Sequence, residues 1–243
     1  MNLFFSVTII ALLFVSSCHE TRQSSHSSHT KLATEPVLVP MDSEIEGQYL
    51  AIFETLNPDL SNKIMGAFTF SVEKEIDELV MDVRLTNSSA NLIHVQNIRT
   101  GSRCPTLQDD INLDGIIDAI EGEAVYGRIL IPLDGDISTQ SSHDGEFPTS
   151  DTYGNYIYAK LTTFSTFMED LRKASEGGED YIKLKAFETL NIESRVAVIQ
   201  GMSGEINLPP TVRSVGQLTA HQSIPIVCGV VKKVILPPGE IGF

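Results

Sequence analysis

Polar and apolar residues alternate along much of the chain after residue 46, which is typical of β-strands. Residues 78–85 read Glu-Leu-Val-Met-Asp-Val-Arg-Leu, and this near-alternation predicts a half-buried strand. Turn residues such as those at 87–91 separate the apolar segments. The same reasoning predicts further strands at residues 49–53, 64–72, 92–98, 124–132, 156–161, 195–199 and 224–231. Strands at this spacing predict an all-β protein, either a sandwich or a barrel.

One short helix interrupts this β pattern. Thr166 and Glu169 have the spacing of a capping box, in which a hydroxyl and a carboxylate satisfy the first amides of a helix. We therefore expect a helix over residues 167–173.

Residues 110–121 stand apart because oxygen-bearing side chains recur at fixed positions. The segment reads Asp-Ile-Asn-Leu-Asp-Gly-Ile-Ile-Asp-Ala-Ile-Glu, which has the ligand spacing of a twelve-residue calcium loop with glycine at position 6. The predicted ligands are Asp110, Asn112, Asp114, Ile116 through its backbone carbonyl, Asp118 directly or through water, and Glu121 with both oxygens. The alternative is an acidic surface loop rich in Asx turns.

The flanks of this loop argue against a helix–loop–helix sensor. Pro105 precedes the loop and Gly122 follows it, and both disfavour long flanking helices. The sequence therefore predicts a calcium loop inserted into a β-protein, where it acts as a structural clip.

Composition narrows the classes of partner. The 243 residues carry a net charge of -15 and are 42% hydrophobic. Such a charge argues against nucleic acid and against anionic membrane surfaces as electrostatic partners. It suits cation binding, although a soluble acidic surface explains it equally well.

The N-terminus has the features of an export signal. The apolar run at residues 3–15 is too short to span a bilayer but has the length of a signal h-region. It leads into Val-Ser-Ser-Cys18, which resembles the lipobox of bacterial lipoproteins, although no Lys or Arg precedes the run. The resemblance implies a signal peptide over residues 1–17 and a lipid on Cys18 that attaches the protein to a membrane. An ordinary secretory signal is the alternative.

The rest of the chain divides by composition. Residues 18–45 are polar and predict a flexible tether, residues 46–235 a folded domain and residues 236–243 a tail. The implied location is the bacterial cell envelope. His19 replaces the Asp that is often associated with retention in the inner membrane, which favours the outer membrane. A lipid on Cys18 leaves Cys104 and Cys228 in an oxidising compartment, where they are a disulfide candidate.

Three segments together resemble the copper/zinc superoxide dismutase family. They are Leu-Ile-His-Val-Gln at 92–96 with Cys104 ten residues after its histidine, Arg-Val-Ala-Val-Ile-Gln-Gly at 195–201, and Ile-Val-Cys-Gly-Val-Val at 226–231. The resemblance spans roughly residues 48–233. It implies an eight-stranded Greek-key β-barrel and a disulfide between Cys104 and Cys228. CHRD domains, which are β-rich with a similar His-x-His strand, are a rival resemblance.

The sequence departs from that family at the metal ligands. Only His94 remains of the four imidazoles that copper requires, because Gln96 and Gln200 occupy two of the other positions. The stretch that binds zinc in the family holds one histidine, His143. A makeshift site of His94, His143 and His221 is a minor alternative.

These departures from the family's metal ligands favour a protein without catalytic activity. The sequence predicts a calcium-stabilised, dismutase-like envelope lipoprotein with a structural or binding role, without copper or zinc and with an unidentified protein partner. The alternative is a periplasmic superoxide dismutase with divergent ligands.

Overall fold

The computed structural model describes residues 45–58, 60, 63–137, 146–173, 182–185 and 188–235. The predicted signal peptide, the lipidation site Cys18, the tether up to residue 44, His143 and the tail at 236–243 lie outside these residues.

Two antiparallel sheets make up most of the described chain. Sheet A contains, in spatial order, β10 (Lys232–Lys233), β1 (Gly47–Ile52), β3 (Met65–Glu73), β4 (Glu78–Thr86) and β7 (Tyr156–Thr163). Sheet B contains β2 (Glu54–Thr55), β9 (Pro225–Val230), β8 (Val196–Gln200), β5 (Gln96–Arg99) and β6 (Ile129–Pro132). All neighbouring strands run antiparallel. The predicted all-β class is confirmed, and the architecture is that of a sandwich.

The helix content was underestimated from the sequence. The described residues contain three α-helices, α1 (Ala119–Tyr126), α2 (Phe164–Leu171) and α3 (Ala220–Ser223), where one was predicted. The predicted helix at 167–173 begins earlier, because Thr163 rather than Thr166 caps it by accepting a hydrogen bond from the Thr166 amide. No helix within the described ranges has the length and apolar character needed to cross a membrane.

The predicted strand over residues 124–132 is wrong in its first half. Residues 124–126 complete α1, which starts at a capping box formed by Asp118 and Glu121. Gly127, with φ 76°, ends that helix, and β6 starts only at Ile129. A local capping signal therefore overrode the apolar run that suggested a strand.

The two sheets differ in how they are buried. In sheet A, β4 alternates between buried and accessible residues, because one face packs on the core and the other meets solvent. In sheet B every residue of β5 and β8 is buried. A second apolar cluster accounts for this double burial, and it consists of Leu56, Tyr126, Val196, Val198 and Cys228, with Cys104 and Val230 packed against it. The segment between β5 and β6, which contains α1, thus covers the outer face of sheet B.

The disulfide lies within this second cluster. Cys104 and Cys228 are joined, with Cα atoms 5.8 Å apart and 124 residues of sequence separation. The bond ties the start of the covering segment to the middle of β9.

We expect loss of this disulfide to be costly. Because the bond closes a long loop in the unfolded chain, replacing both Cys104 and Cys228 with Ala should lower the free energy of unfolding by about 4 kcal/mol. Urea unfolding checks this, and the double variant should no longer respond to dithiothreitol. An unchanged midpoint in the double variant would contradict the prediction.

Candidate metal-binding loop

The acidic loop at residues 110–121 lies between two short helical segments. A 3-10 helix (Leu107–Asp109) precedes it, and α1 begins within its last turn at Ala119. Both flanking helices are short, with three residues before the loop and eight at its end, although Gly122 lies inside α1 instead of preventing a helix. Leu113 (φ 60°) and Gly115 (φ 82°) adopt left-handed conformations that turn the chain between the two segments.

The first half of the loop is folded by side chains that accept hydrogen bonds from its own backbone. Asp110 accepts from the amides of Leu113 at 2.8 Å and Gly115 at 2.7 Å. Asn112 accepts from the Asp114 amide at 3.0 Å, and Asp114 accepts from the amide two residues on at 2.9 Å. These Asx turns gather the polar side chains of positions 1, 3 and 5 on the inside of the turn.

The second half of the loop brings the last predicted ligand back to the first. Glu121 accepts hydrogen bonds from the amides of Ile111 at 3.0 Å and Asn112 at 3.3 Å, and its other oxygen accepts from the Asp118 amide at 3.1 Å. Asp110, Asp118 and Glu121 are 7%, 1% and 1% exposed. Burial of charged carboxylates is unfavourable unless they are hydrogen-bonded and paired with cations.

Arg213, from a distant part of the chain, supplies one positive charge to these buried carboxylates. Arg213 donates from its backbone amide and its Nε to one oxygen of Asp118, at 3.0 and 2.8 Å. Its Nη2 lies 3.3 Å from Glu121. Burial alone raises the pKa of Asp118, but the hydrogen bonds from Arg213 and from the Glu121 amide outweigh it and hold that pKa below its ordinary value.

The same segment makes a second contact with the loop. Thr211 donates its hydroxyl to Asp114 at 2.6 Å, and its carbonyl accepts from the Asn112 side chain at 3.4 Å. We call residues 211–213 the strap.

A buried asparagine joins the loop to the sandwich. Asn57, 3% exposed and with φ 50°, accepts from the Ile117 amide at 2.6 Å and donates to the carbonyls of Ile117 and Pro225 at 3.0 and 3.1 Å. The sequence does not identify Asn57, Arg213 or Thr211 as neighbours of the loop. Their partners lie 60 or more residues away along the chain, so no local spacing signals them.

Carboxylate and amide oxygens are the donors that a hard cation prefers, and the loop carries more negative than positive charge. Asp118 and Glu121 pair with the guanidinium of Arg213, whereas Asp110 and Asp114 have no ion pair among the described residues, so the four carboxylates exceed this cation by three charges. Among the described residues, however, no group of three or more His, Cys, Asp or Glu side chains is positioned to hold a metal ion. The carboxylate oxygens are bonded to loop amides and to the strap.

The positions that correspond to copper ligands in the resembled family do not form a ligand set. The ring nitrogens of His94 lie 3.0 Å from the Ser88 hydroxyl and 3.1 Å from the Gln200 carbonyl oxygen. Its ring stacks on Tyr156, and burial lowers the pKa of His94 and favours the neutral ring. His221 is also engaged, with Nε2 2.7 Å from a backbone carbonyl.

Gln96 and Gln200 contact opposite sides of sheet B. Gln96 accepts from the Tyr156 hydroxyl of sheet A at 2.9 Å, so its side chain points between the sheets. Gln200 accepts from Arg99 at 3.4 Å, and Arg99 lies over the Tyr126 ring of α1 on the outer side. Their side chains therefore do not point to a common site.

The Tyr126 hydroxyl is a further unusual feature of α1. Tyr126 is 0% exposed, and its hydroxyl has no hydrogen-bond partner among the described residues. It lies against the first turn of the helix, since a Cβ placed on Gly122 would be 2.6 Å from it. Burial raises the pKa of Tyr126 to about 12.

A buried carboxyl also occurs away from the loop. Asp134, which follows β6, is 2% exposed and accepts from the Asp136 amide at 3.0 Å. Burial raises the pKa of Asp134 to about 6.

Comparisons with known proteins identify no relative. No protein-family model matches the chain, and no curated protein is significantly similar to it.

The hydroxyls of Tyr126 and Tyr156 should respond differently to removal. We expect Tyr126→Phe to be neutral or to stabilise the fold slightly, because it removes an unpaired polar atom. Tyr156→Phe is the matched control, since it leaves the Gln96 oxygen without its donor and should cost about 1–3 kcal/mol. Urea unfolding in a chelator measures both, and equal losses would contradict the prediction.

Asp134 should make stability depend on pH between about 4 and 6. Because its folded pKa of about 6 lies above its ordinary value, the folded state binds the proton more tightly, and this contribution is lost as pH rises through 6. Asp134→Asn should therefore be more stable than the wild type at pH 7.5, by at most about 3 kcal/mol, with a smaller difference at pH 5. Denaturant unfolding at both values tests this. Asp151→Asn is the control, because backbone hydrogen bonds lower the pKa of that exposed carboxyl.

Proposed function

We propose that this protein is a calcium-stabilised, non-catalytic β-sandwich lipoprotein of the bacterial cell envelope, with a structural or binding role. One observation carries the proposal: a loop with calcium-ligand spacing buries three carboxylates, Asp110, Asp118 and Glu121, against a single guanidinium. A divalent cation would offset more of this charge than the guanidinium does.

The proposed ligands are those of the loop motif. Asp110, Asn112, Asp114, the Ile116 carbonyl, Asp118 and Glu121 would supply oxygen to the ion, and oxygen is the donor that Ca²⁺ prefers. The bound ion would hold the segment that covers the outer face of sheet B, where the Cys104–Cys228 disulfide holds its other end.

We further propose that the sandwich is of the Greek-key type found in copper/zinc superoxide dismutases. The strand order supports this, because β4 lies beside β7 in sheet A while β5 and β6, which come between them in sequence, belong to sheet B. The disulfide joins the cysteines that correspond to the family's intrasubunit pair. The resemblance does not extend to redox chemistry, since the side chains of His94, Gln96 and Gln200 are bonded to neighbouring protein groups.

The location follows from the N-terminal sequence. The lipobox-like Val-Ser-Ser-Cys18 would anchor the domain by its lipid, and the disulfide suits an oxidising compartment such as the periplasm or cell surface.

Calcium titration tests the central claim. Isothermal titration should show one site with a dissociation constant of about 10⁻⁴ to 10⁻³ M, which is typical of extracellular modules. At 100 times that constant the ion should stabilise the folded state by about 2.7 kcal/mol, seen as a rise in Tm.

The variant Glu121→Gln should abolish both signals, because it removes the bidentate ligand at position 12. Asp109→Asn is the matched control, since that carboxylate lies just outside the loop and pairs with Arg103. No heat and no shift in Tm in millimolar calcium would refute calcium binding.

A further inference from the structure

The guanidinium of Arg213 occupies oxygens that the loop motif assigns to the metal ion. Arg213 binds Asp118, position 9, and Glu121, position 12. Among the described residues these are the ion pairs made by the loop carboxylates. The side chain of Arg213 is 47% exposed while those of its partners are 1% and 0% exposed, so the charge reaches the buried carboxylates from the solvent side.

The Tyr126 hydroxyl lies beside the same turn of α1. This hydroxyl is fully buried and unpaired within the described residues, and it lies against Gly122 in the turn that carries Asp118 and Glu121. Buried polar atoms almost always have a partner, protein or water. The turn that carries Asp118 and Glu121 therefore borders a buried hydroxyl that has no partner among the described residues.

We propose that Arg213 is an internal counter-ion that calcium displaces, so that binding of the ion releases the strap from the loop. This inference rests on the proposed function, because it names the regulation of the same site. Calcium needs oxygens from Asp118 and Glu121, and a second cation a few ångströms away would be repelled. The ion carries twice the charge of a guanidinium, so the four loop carboxylates would retain two negative charges with calcium and retain three with Arg213.

The remaining strap contacts would weaken with it. Thr211 donates to Asp114 and accepts from Asn112, which are positions 5 and 3 of the loop. An oxygen of each would turn to the ion. Occupancy of the site would thereby change the conformation of residues 211–213, whose contacts with Asp118 and Asp114 span 95 and 97 residues of sequence.

Competition between the two cations has a measurable consequence for affinity. Wild-type protein must break the Arg213 pairs before calcium can bind, which lowers its apparent affinity. We expect Arg213→Ala to bind calcium about tenfold more tightly than the wild type, within the usual range for coupled sites.

Arg103→Ala is the matched control for this experiment. Arg103 also carries one guanidinium beside the loop, but it pairs with Asp109, which is not a predicted ligand. Removing it changes the local charge equally without vacating a ligand position. Its effect on calcium affinity should stay within about twofold, since exposed charges are screened.

A measurement on the wild type makes the test independent of any variant. Hydrogen exchange with and without calcium should show faster exchange at the Arg213 amide, which donates to Asp118, and slower exchange at the Leu113 and Gly115 amides of the loop.

The outcomes separate the two claims. Absence of calcium binding in both the wild type and Arg213→Ala overturns the proposed function and this inference together. Calcium binding with equal affinities for Arg213→Ala and Arg103→Ala, or with added protection at the Arg213 amide, overturns the exchange alone. Calcium binding by the wild type, with tighter binding by Arg213→Ala than by Arg103→Ala and faster exchange at the Arg213 amide, supports it.

Discussion

The outer face of sheet B is buried, and this imposes the main constraint on the rest of the molecule. A sheet whose strands are buried on both sides needs a cover, or its outer residues would lie in water. The segment between β5 and β6 provides that cover through Tyr126 and Cys104. The disulfide holds one end of the segment, and Asn57 holds the acidic loop to β9. The loop is therefore part of the segment that covers sheet B as well as a candidate site, and its Ile116 belongs to the main core.

Burial of the loop carboxylates is unfavourable, and the positive charges of the described residues offset it only in part. Asp118 and Glu121 lie at the first turn of α1, where the backbone amides and the helix dipole favour negative charge. Arg213 adds one positive charge, and Asp110 and Asp114 remain without an ion pair of their own among the described residues. A site that is already partly neutralised by its own chain is suited to exchange one cation for another.

The strands were largely predictable because their signals are local. A strand with one buried face alternates polar and apolar residues, as residues 78–85 do, whereas a strand buried on both faces is a continuous apolar run, as at 195–199 and 224–231. All three segments are strands in the structure. Errors arose where two local signals competed. At 124–126 an apolar run suggested a strand, but the capping box of Asp118 and Glu121 had already started a helix whose end is set by Gly127. A capping box was also assigned to Thr166, one turn late, because Thr163 precedes it with the same chemistry.

By itself, the sequence determined the β-rich class, the turn-forming side chains of residues 110–121 and the pool of cysteines available for a disulfide. These depend on residue type and short spacing, and they hold wherever the segment lies in the fold. Only the tertiary structure decided that Gln96 and Gln200 contact opposite sides of sheet B. It also decided that Asn57 forms hydrogen bonds with Ile117 and that Arg213 forms an ion pair with Asp118. The contacts of the loop with Asn57 and Arg213 join residues that are 60 and 95 positions apart. Because packing of the whole chain brings such residues together, no periodicity in the sequence predicts these contacts.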